Sequence, residues 1–234
     1  MQPELQPIRT GNPVASQDYA AQQHRVLRNT YWLLAISLVP TIIGAAIGTN
    51  INLNFLRASP ILSFFVILAI FYGWIFAIER NKNSSLGVGL LLGFTLFMGV
   101  LLGPLLQSVL GFKNGVQLVM MAAGGTAVVF FALAGLASST ARDFSFLSKF
   151  LFIGFIVIML AIVANVFLAS PVLYLTVLGA IILFSCAAIL WQVNAIVRGG
   201  ETNYVSATLT LYVSIYNLFS SLLQLLGIFG GSRD

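Results

Sequence analysis

The stretch Tyr204–Phe229, YVSATLTLYVSIYNLFSSLLQLLGIF, decides how this chain must fold. It holds no Asp, Glu, Lys, Arg or His and is long enough to cross a bilayer. In lipid a lone segment of that kind satisfies its backbone as a helix. It is not uniformly apolar, however. Ser206, Thr210, Ser214, Asn217, Ser221 and Gln224 recur at intervals of 4, 4, 3, 4 and 3, which is the spacing of one helical face. Thr208, Tyr212, Tyr216 and Ser220 form an adjoining row. Facing lipid, such a stripe leaves donors and acceptors unpaired at a cost on the order of 1–3 kcal/mol each. The stripe must therefore face protein or water, so this helix belongs at the centre of a bundle, wrapped by the other six.

Those six are apolar blocks of spanning length. They run from about Thr30 to Gly48, Pro60 to Ile78, Leu86 to Leu106, Val116 to Ala137, Leu147 to Leu168 and Pro171 to Val193. Their interiors also lack Asp, Glu, Lys, Arg and His, apart from Lys149 at the edge of the fifth, which is counted with the preceding loop. The predicted fold is an all-α integral membrane protein, a seven-transmembrane-helix bundle with a polar-striped C-terminal helix at its centre. Residues 1–25, with Pro3, Pro7, Gly11 and Pro13, read as a flexible cytoplasmic tail. Residues 26–230 form the seven-helix membrane domain, and 231–234 a short C-terminal end. Pro40 is expected to kink the first helix. Only Ala169 and Ser170 join the fifth and sixth blocks, which makes them an antiparallel hairpin.

Composition agrees. Hydrophobic residues make up 59% of the 234 and charged residues 7%, with a mean hydropathy of +0.99. Soluble domains carry roughly 25% charged residues. The net charge of +5 is too dispersed for a nucleic-acid footprint and fits the basic residues that anchor cytoplasmic loops. With the N-terminus inside, Arg9, Arg25, Arg28, Arg80, Lys82, Arg142, Lys149 and Arg198 lie on the cytoplasmic side, against Arg57, Lys113 and Arg233 opposite. Eight against three orients the N-terminus to the cytoplasm. Seven crossings then put the C-terminus in the periplasm, unless the last segment only dips into the membrane.

The uncharged spans argue against proton pumping, acid–base chemistry and carboxylate ion sites within the bilayer. Serines are plentiful, but no His, Lys or Asp lies inside a span to activate one. Cys186 is the one cysteine and His24 the one histidine, so neither a disulfide nor a multi-ligand metal or bis-histidine haem site can be built. No cofactor is expected, and the chain reads as non-enzymatic. Gly44-x-x-x-Gly48, Gly89-x-x-x-Gly93 and Gly99-x-x-x-Gly103 are close-packing motifs, serving bundle packing, a dimerisation seam or a hinge. The polar stripe is either interhelical glue, with Asn165, Gln192 and Asn194 as partners, or the lining of a hydrated path. Arg142, Asp143, Arg198 and Glu201, together with Lys149, lie in two cytoplasmic loops and form either a docking patch or ordinary topology anchors.

Several stretches resemble the Bax inhibitor-1 family, and within it the bacterial YccA-like branch. They are Arg198-Gly199-Gly200-Glu201-Thr202-Asn203-Tyr204 with Leu211 to Phe219, Val26 to Tyr31, Gly124-Gly125-Thr126-Ala127, Arg142 to Leu147, and Val163-Ala164-Asn165. The resemblance covers residue 26 to the end and implies seven helices around a central C-terminal one. It implies two activities. One is a pH-gated calcium leak that uses an aspartate pair, at positions matching Gln192 and Ser214 here. Neither residue can ionise, so a shared-proton gate is unavailable. The other is binding and modulation of a membrane-anchored ATP-dependent protease of the FtsH type. The tail offers such a protease an end to grip while the packed bundle resists extraction, so the chain is expected to behave as a slow competing substrate. A calcium or small-solute leak without the acidic pair is the alternative, and the oligomeric state stays open.

Overall fold

The computed structural model describes residues 13–51, 60–140 and 143–232, with the side chains of 13–20 and of 60 excepted. Among them are seven helices: α1 (Pro13–Asn50), α2 (Pro60–Arg80), α3 (Ser85–Leu110), α4 (Gly115–Ser139), α5 (Leu147–Leu168), α6 (Pro171–Val197) and α7 (Tyr204–Gly230). Each contains a segment long and apolar enough to cross a membrane, and no strand occurs among the described residues. The protein is a seven-helix membrane bundle.

α1 begins earlier than composition suggests. Residues 13–25, read above as tail, are helical. Pro13 suits the first helical position, where no backbone N–H bond is required, and the following alanines and glutamines are good helix formers. Residues 1–12, the rest of that segment, lie outside the described residues, as do Arg233 and Asp234 of the C-terminal end. The helix runs on through Pro40. On either side of it the hydroxyls of Ser37 and Thr41 donate to the carbonyls of Leu34 and Ser37, at 2.7 and 2.8 Å.

α7 is the central helix: from Tyr204 to Gly227 no residue is exposed. It packs against α1, α2, α3, α4 and α6. α5 is the exception to the expected ring of six, for it lies outside on α6 and buries only Leu151. The turn explains this placement. Ala169 is in the left-handed region at φ 47°, Asn165 Oδ1 accepts from the Ser170 N–H at 3.1 Å, and Ser170 Oγ accepts from the Leu173 N–H at 3.4 Å. So short a hairpin holds α5 beside α6, and α6 already fills the position against α7.

The most extensive helix contact joins α1 to α3. Their glycine pairs meet: a Cβ at Gly44 or Gly48 would overlap the Leu96 or Val100 backbone, and one at Gly99 or Gly103 would overlap that of Thr41 or Gly48. Two of the three sequence motifs thus form one backbone-to-backbone seam within the chain. Gly89-x-x-x-Gly93 takes no part in it. Gly89 faces open space, and Gly93 meets the Trp74 ring.

α7 also runs the full height of the bundle. At its start Asn203 is bonded to the α2–α3 turn, and beyond its end Ser232 is bonded to the α3–α4 turn. Because α3 spans the distance between those two turns, α7 crosses from one end to the other.

Candidate functional site

The loop from α6 into α7 is built from its residues as two linked caps. Gly199, at φ +74°, occupies the left-handed position that ends α6. The Gly199 N–H then bonds the Ile196 carbonyl at 3.0 Å and the Gly200 N–H the Ala195 carbonyl at 2.8 Å, a Schellman closure. Glu201 Oε1 accepts from the Asn203 N–H at 2.8 Å. Asn203 in turn caps α7, its Oδ1 accepting from the N–H groups of Val205 and Ser206 at 2.9 and 3.2 Å. Its Nδ2 donates to Asn83 Oδ1 at 2.7 Å and to the Lys82 carbonyl at 3.3 Å. The Gly-Gly-Glu-Thr-Asn-Tyr run is thus a fastening between three helices.

Glu79, at the end of α2, completes this cluster. One oxygen accepts from the Ser206 hydroxyl at 3.0 Å and pairs with Lys82 Nζ at 3.1 Å. Glu79 does not stand out in the sequence; the only signal was an acid closing a span just before the turn that meets α7.

Within α7 the expected stripe lies inside the protein. Ser206, Ser214 and Ser221 are buried, and Thr210, Asn217 and Gln224 half-buried. Its hydrogen bonds are mostly not glue. Thr210 donates to the Ser206 carbonyl at 3.1 Å, Ser214 to that of Thr210 at 2.8 Å, and Gln224 to that of Ser220 at 3.0 Å. A helix carbonyl one turn back is the acceptor a short hydroxyl side chain reaches most easily. Bonds to other helices come from the ends of the stripe, at Ser206–Glu79 and Tyr174–Gln224, and from the adjoining row. There the Thr208 hydroxyl lies 2.6 Å from the Tyr204 carbonyl of its own helix and 3.3 Å from the Thr30 carbonyl, and the Tyr212 hydroxyl lies 2.8 Å from Thr41 Oγ1 and 3.3 Å from the Thr95 carbonyl.

The anticipated cross-core partners do other work. Asn165 closes the α5–α6 turn, while Asn194 accepts from the Phe144 N–H at 3.1 Å and donates to the Ala137 carbonyl at 3.5 Å, pinning the loop after α4. Gln192 is buried, and its Nε2 has no hydrogen-bond partner. Gln192 is therefore a buried amide and Ser214 a hydroxyl spent on its own helix. Neither side chain carries a carboxyl that can ionise.

Of the four proposed docking residues, Arg142 lies outside the described residues, and Glu201 is turned onto its own loop. Asp143 and Arg198 are brought close enough to interact. The Ser145 N–H (2.8 Å) and hydroxyl (3.1 Å) hold the Asp143 carboxyl below the usual carboxylate range, and the Arg198 charge adds to this. Both residues are exposed, so the pair presents charge to water and not to the core.

Comparison with known proteins follows the same lines. Residues 23–231 match the family model described as Inhibitor of apoptosis-promoting Bax1. The chain is 45% identical over 214 residues to an uncharacterised protein of Neisseria meningitidis serogroup B, covering 89% of this chain and 94% of that one. It is 43% identical over 206 residues to an uncharacterised protein of Pseudomonas aeruginosa, with 88% and 90% covered. It is also 41% identical over 211 residues to the Modulator of FtsH protease YccA of Escherichia coli K12, with 90% and 92% covered.

Proposed function

The chain belongs to the Bax inhibitor-1 family, and on that premise we propose that it binds a membrane-anchored, ATP-dependent protease of the FtsH type and modulates it without being an enzyme itself. The observation that carries this reading is the 41% identity to the FtsH modulator, spread over nine-tenths of both chains. Another relative of equal identity is named an inner membrane protein, and that membrane is the location proposed here. The eight-to-three distribution of basic residues orients the N-terminus to the cytoplasm and the C-terminus to the periplasm.

The bundle suits a slow competing substrate. A processive protease that grips the segment before α1 pulls on the helix most extensively packed against a neighbour. The α1–α3 glycine seam resists that pull, and the protease is occupied while it does. Arg198 and Asp143 are the candidate surface contacts at the same end, since Glu201 serves its own turn. The leak reading fares less well, because the stripe that would line a path spends Thr210 and Ser214 on their own helix.

Deleting residues 2–12, which leaves α1 intact, tests the proposal. In cells containing the protease, the half-life of the shortened protein should lengthen several-fold, and crosslinking to the protease should weaken. An unchanged half-life together with unchanged crosslinking refutes the substrate reading.

A further inference from the structure

Gln192 carries a buried donor that no other side chain or carbonyl answers. Its side chain is 2% exposed, and Nε2 has no hydrogen-bond partner among the described residues. Buried amides nearly always bond to protein or to ordered water. Gln192 lies on the face of α6 that meets α7: Ile189 and Ile196, about one turn to either side, are fully buried, and Ile196 clusters with Ala207. The two helices run antiparallel, and their register is pinned by two contacts, Tyr174 with Gln224 and Ile196 with Ala207. Counted from those pairs, Gln192 comes level with residues 206–211 of α7, the stretch that holds the stripe hydroxyls of Ser206 and Thr210. Both hydroxyls have already given their proton, Ser206 to Glu79 Oε2 and Thr210 to the Ser206 carbonyl. Each oxygen can still accept.

We propose that one ordered water molecule binds between α6 and α7 at this height, accepting from Gln192 Nε2 and donating to the hydroxyl oxygens of Thr210 and Ser206. The chemistry of the three groups selects water over other small occupants. A cation does not accept from an N–H. An anion has no proton to give to hydroxyls that have committed theirs. A direct bond from the amide to either hydroxyl would answer the donor, and none is formed. What remains is a neutral group that takes one hydrogen bond and gives two, in keeping with the roughly three bonds of a buried water. Thr210 is only half-buried, so the packing beside its hydroxyl is open enough to admit one. At this height α6 is thus joined to the polar stripe through a bound water and not through a side-chain pair. That is why Thr210 can spend its own proton one turn back and still serve the helix contact.

The test uses the full chain in lipid nanodiscs, with isotope-labelled glutamine side chains and the Gln192 amide assigned by its loss in Gln192→Leu. The Gln192 amide protons should show a rotating-frame Overhauser contact to water. In Thr210→Val, which keeps the side-chain shape and removes one acceptor, that contact should weaken at least three-fold. A crystal structure with ordered solvent should place one water within about 3.2 Å of both Gln192 Nε2 and Thr210 Oγ1. The proposal is overturned by the lack of any water contact at Gln192, by a contact that Thr210→Val leaves unchanged, or by a direct Gln192–Thr210 bond in the crystal. The crystal arm uses the unaltered chain, so a variant that fails to fold does not blunt it. None of these outcomes depends on protease binding.

Discussion

The hydroxyl of Tyr212 lies 2.8 Å from that of Thr41, and this pair marks the point where three helices meet. The Thr41 carbonyl faces Gly99 across the α1–α3 seam, and Tyr212 reaches on to the Thr95 carbonyl. Tyr212 is 1% exposed, with Phe94 edge-on at 6.1 Å. The crossing of α1 and α3 and the axis of α7 are thereby fixed to each other at one residue.

Tyr212→Phe removes this junction while keeping the ring. Thr41 retains its bond to the Ser37 carbonyl and the Tyr212 hydroxyl has one proton to give, so the expected loss is that of one neutral hydrogen bond, about 0.5–1.5 kcal/mol. Unfolding in detergent micelles, compared with wild type, measures it. A change near zero would place the packing of the ring, and not its hydroxyl, at the junction.

Gly99→Leu forces α1 and α3 apart, since even a Cβ overlaps the Thr41 backbone. Overpacking of this kind costs about 1–3 kcal/mol and here sits on the largest helix contact. Gly89→Leu adds the same atoms in open space and should change stability by less than about 0.5 kcal/mol. The contrast between the two melting temperatures is the measurement. On the extraction account, only Gly99→Leu shortens the lifetime in cells.

Asn203→Ala removes the cap of α7 and its tie to Lys82 and Asn83. The cap alone contributes about 1 kcal/mol. Asn203→Asp keeps the acceptor for Val205 and Ser206 but loses the Nδ2 donor, so it should fall between wild type and alanine. Hydrogen exchange at the Val205 and Ser206 amides reads the cap directly, and should quicken in alanine but not in aspartate.

Asp143 predicts a pH dependence of known sign. Its folded-state pKa is depressed by the Ser145 bonds and by Arg198, so its contribution is present above the ordinary carboxylate pKa. It disappears as pH falls through the depressed value. Exchange around Ser145, divided by the intrinsic amide rate at each pH, should therefore be flat from pH 8 to 5 and rise only in strong acid. Asp143→Asn should remove that acid-side rise.

Much of this architecture is legible in residue order, because lipid forbids the alternatives. An uncharged segment with polar residues at helical spacing has to be an interior helix, and α7 is one. What periodicity does not reveal is which row makes the contacts. Thr210 and Ser214 look like glue, yet each finds an acceptor one turn back, as Thr208 does at the Tyr204 carbonyl, whereas Tyr212 reaches across. The glycine motifs have the same spacing in all three cases, and only three-dimensional proximity separates Gly44, Gly48, Gly99 and Gly103 from Gly89. Asn203 carried a local sign, an asparagine just before an apolar run. Glu79 carried only its place as an acid closing a span, since its partner Ser206 is remote in sequence.

The central claim is that this bundle engages an ATP-driven membrane protease and occupies it. Its most direct measurement is degradation of a reference membrane substrate by the purified FtsH-type protease in proteoliposomes, with this chain added in increasing amounts. The account predicts that turnover of the reference substrate slows in proportion to added chain, while the chain itself is consumed slowly and only with ATP. Undiminished turnover at several-fold molar excess, with the chain left intact, contradicts it.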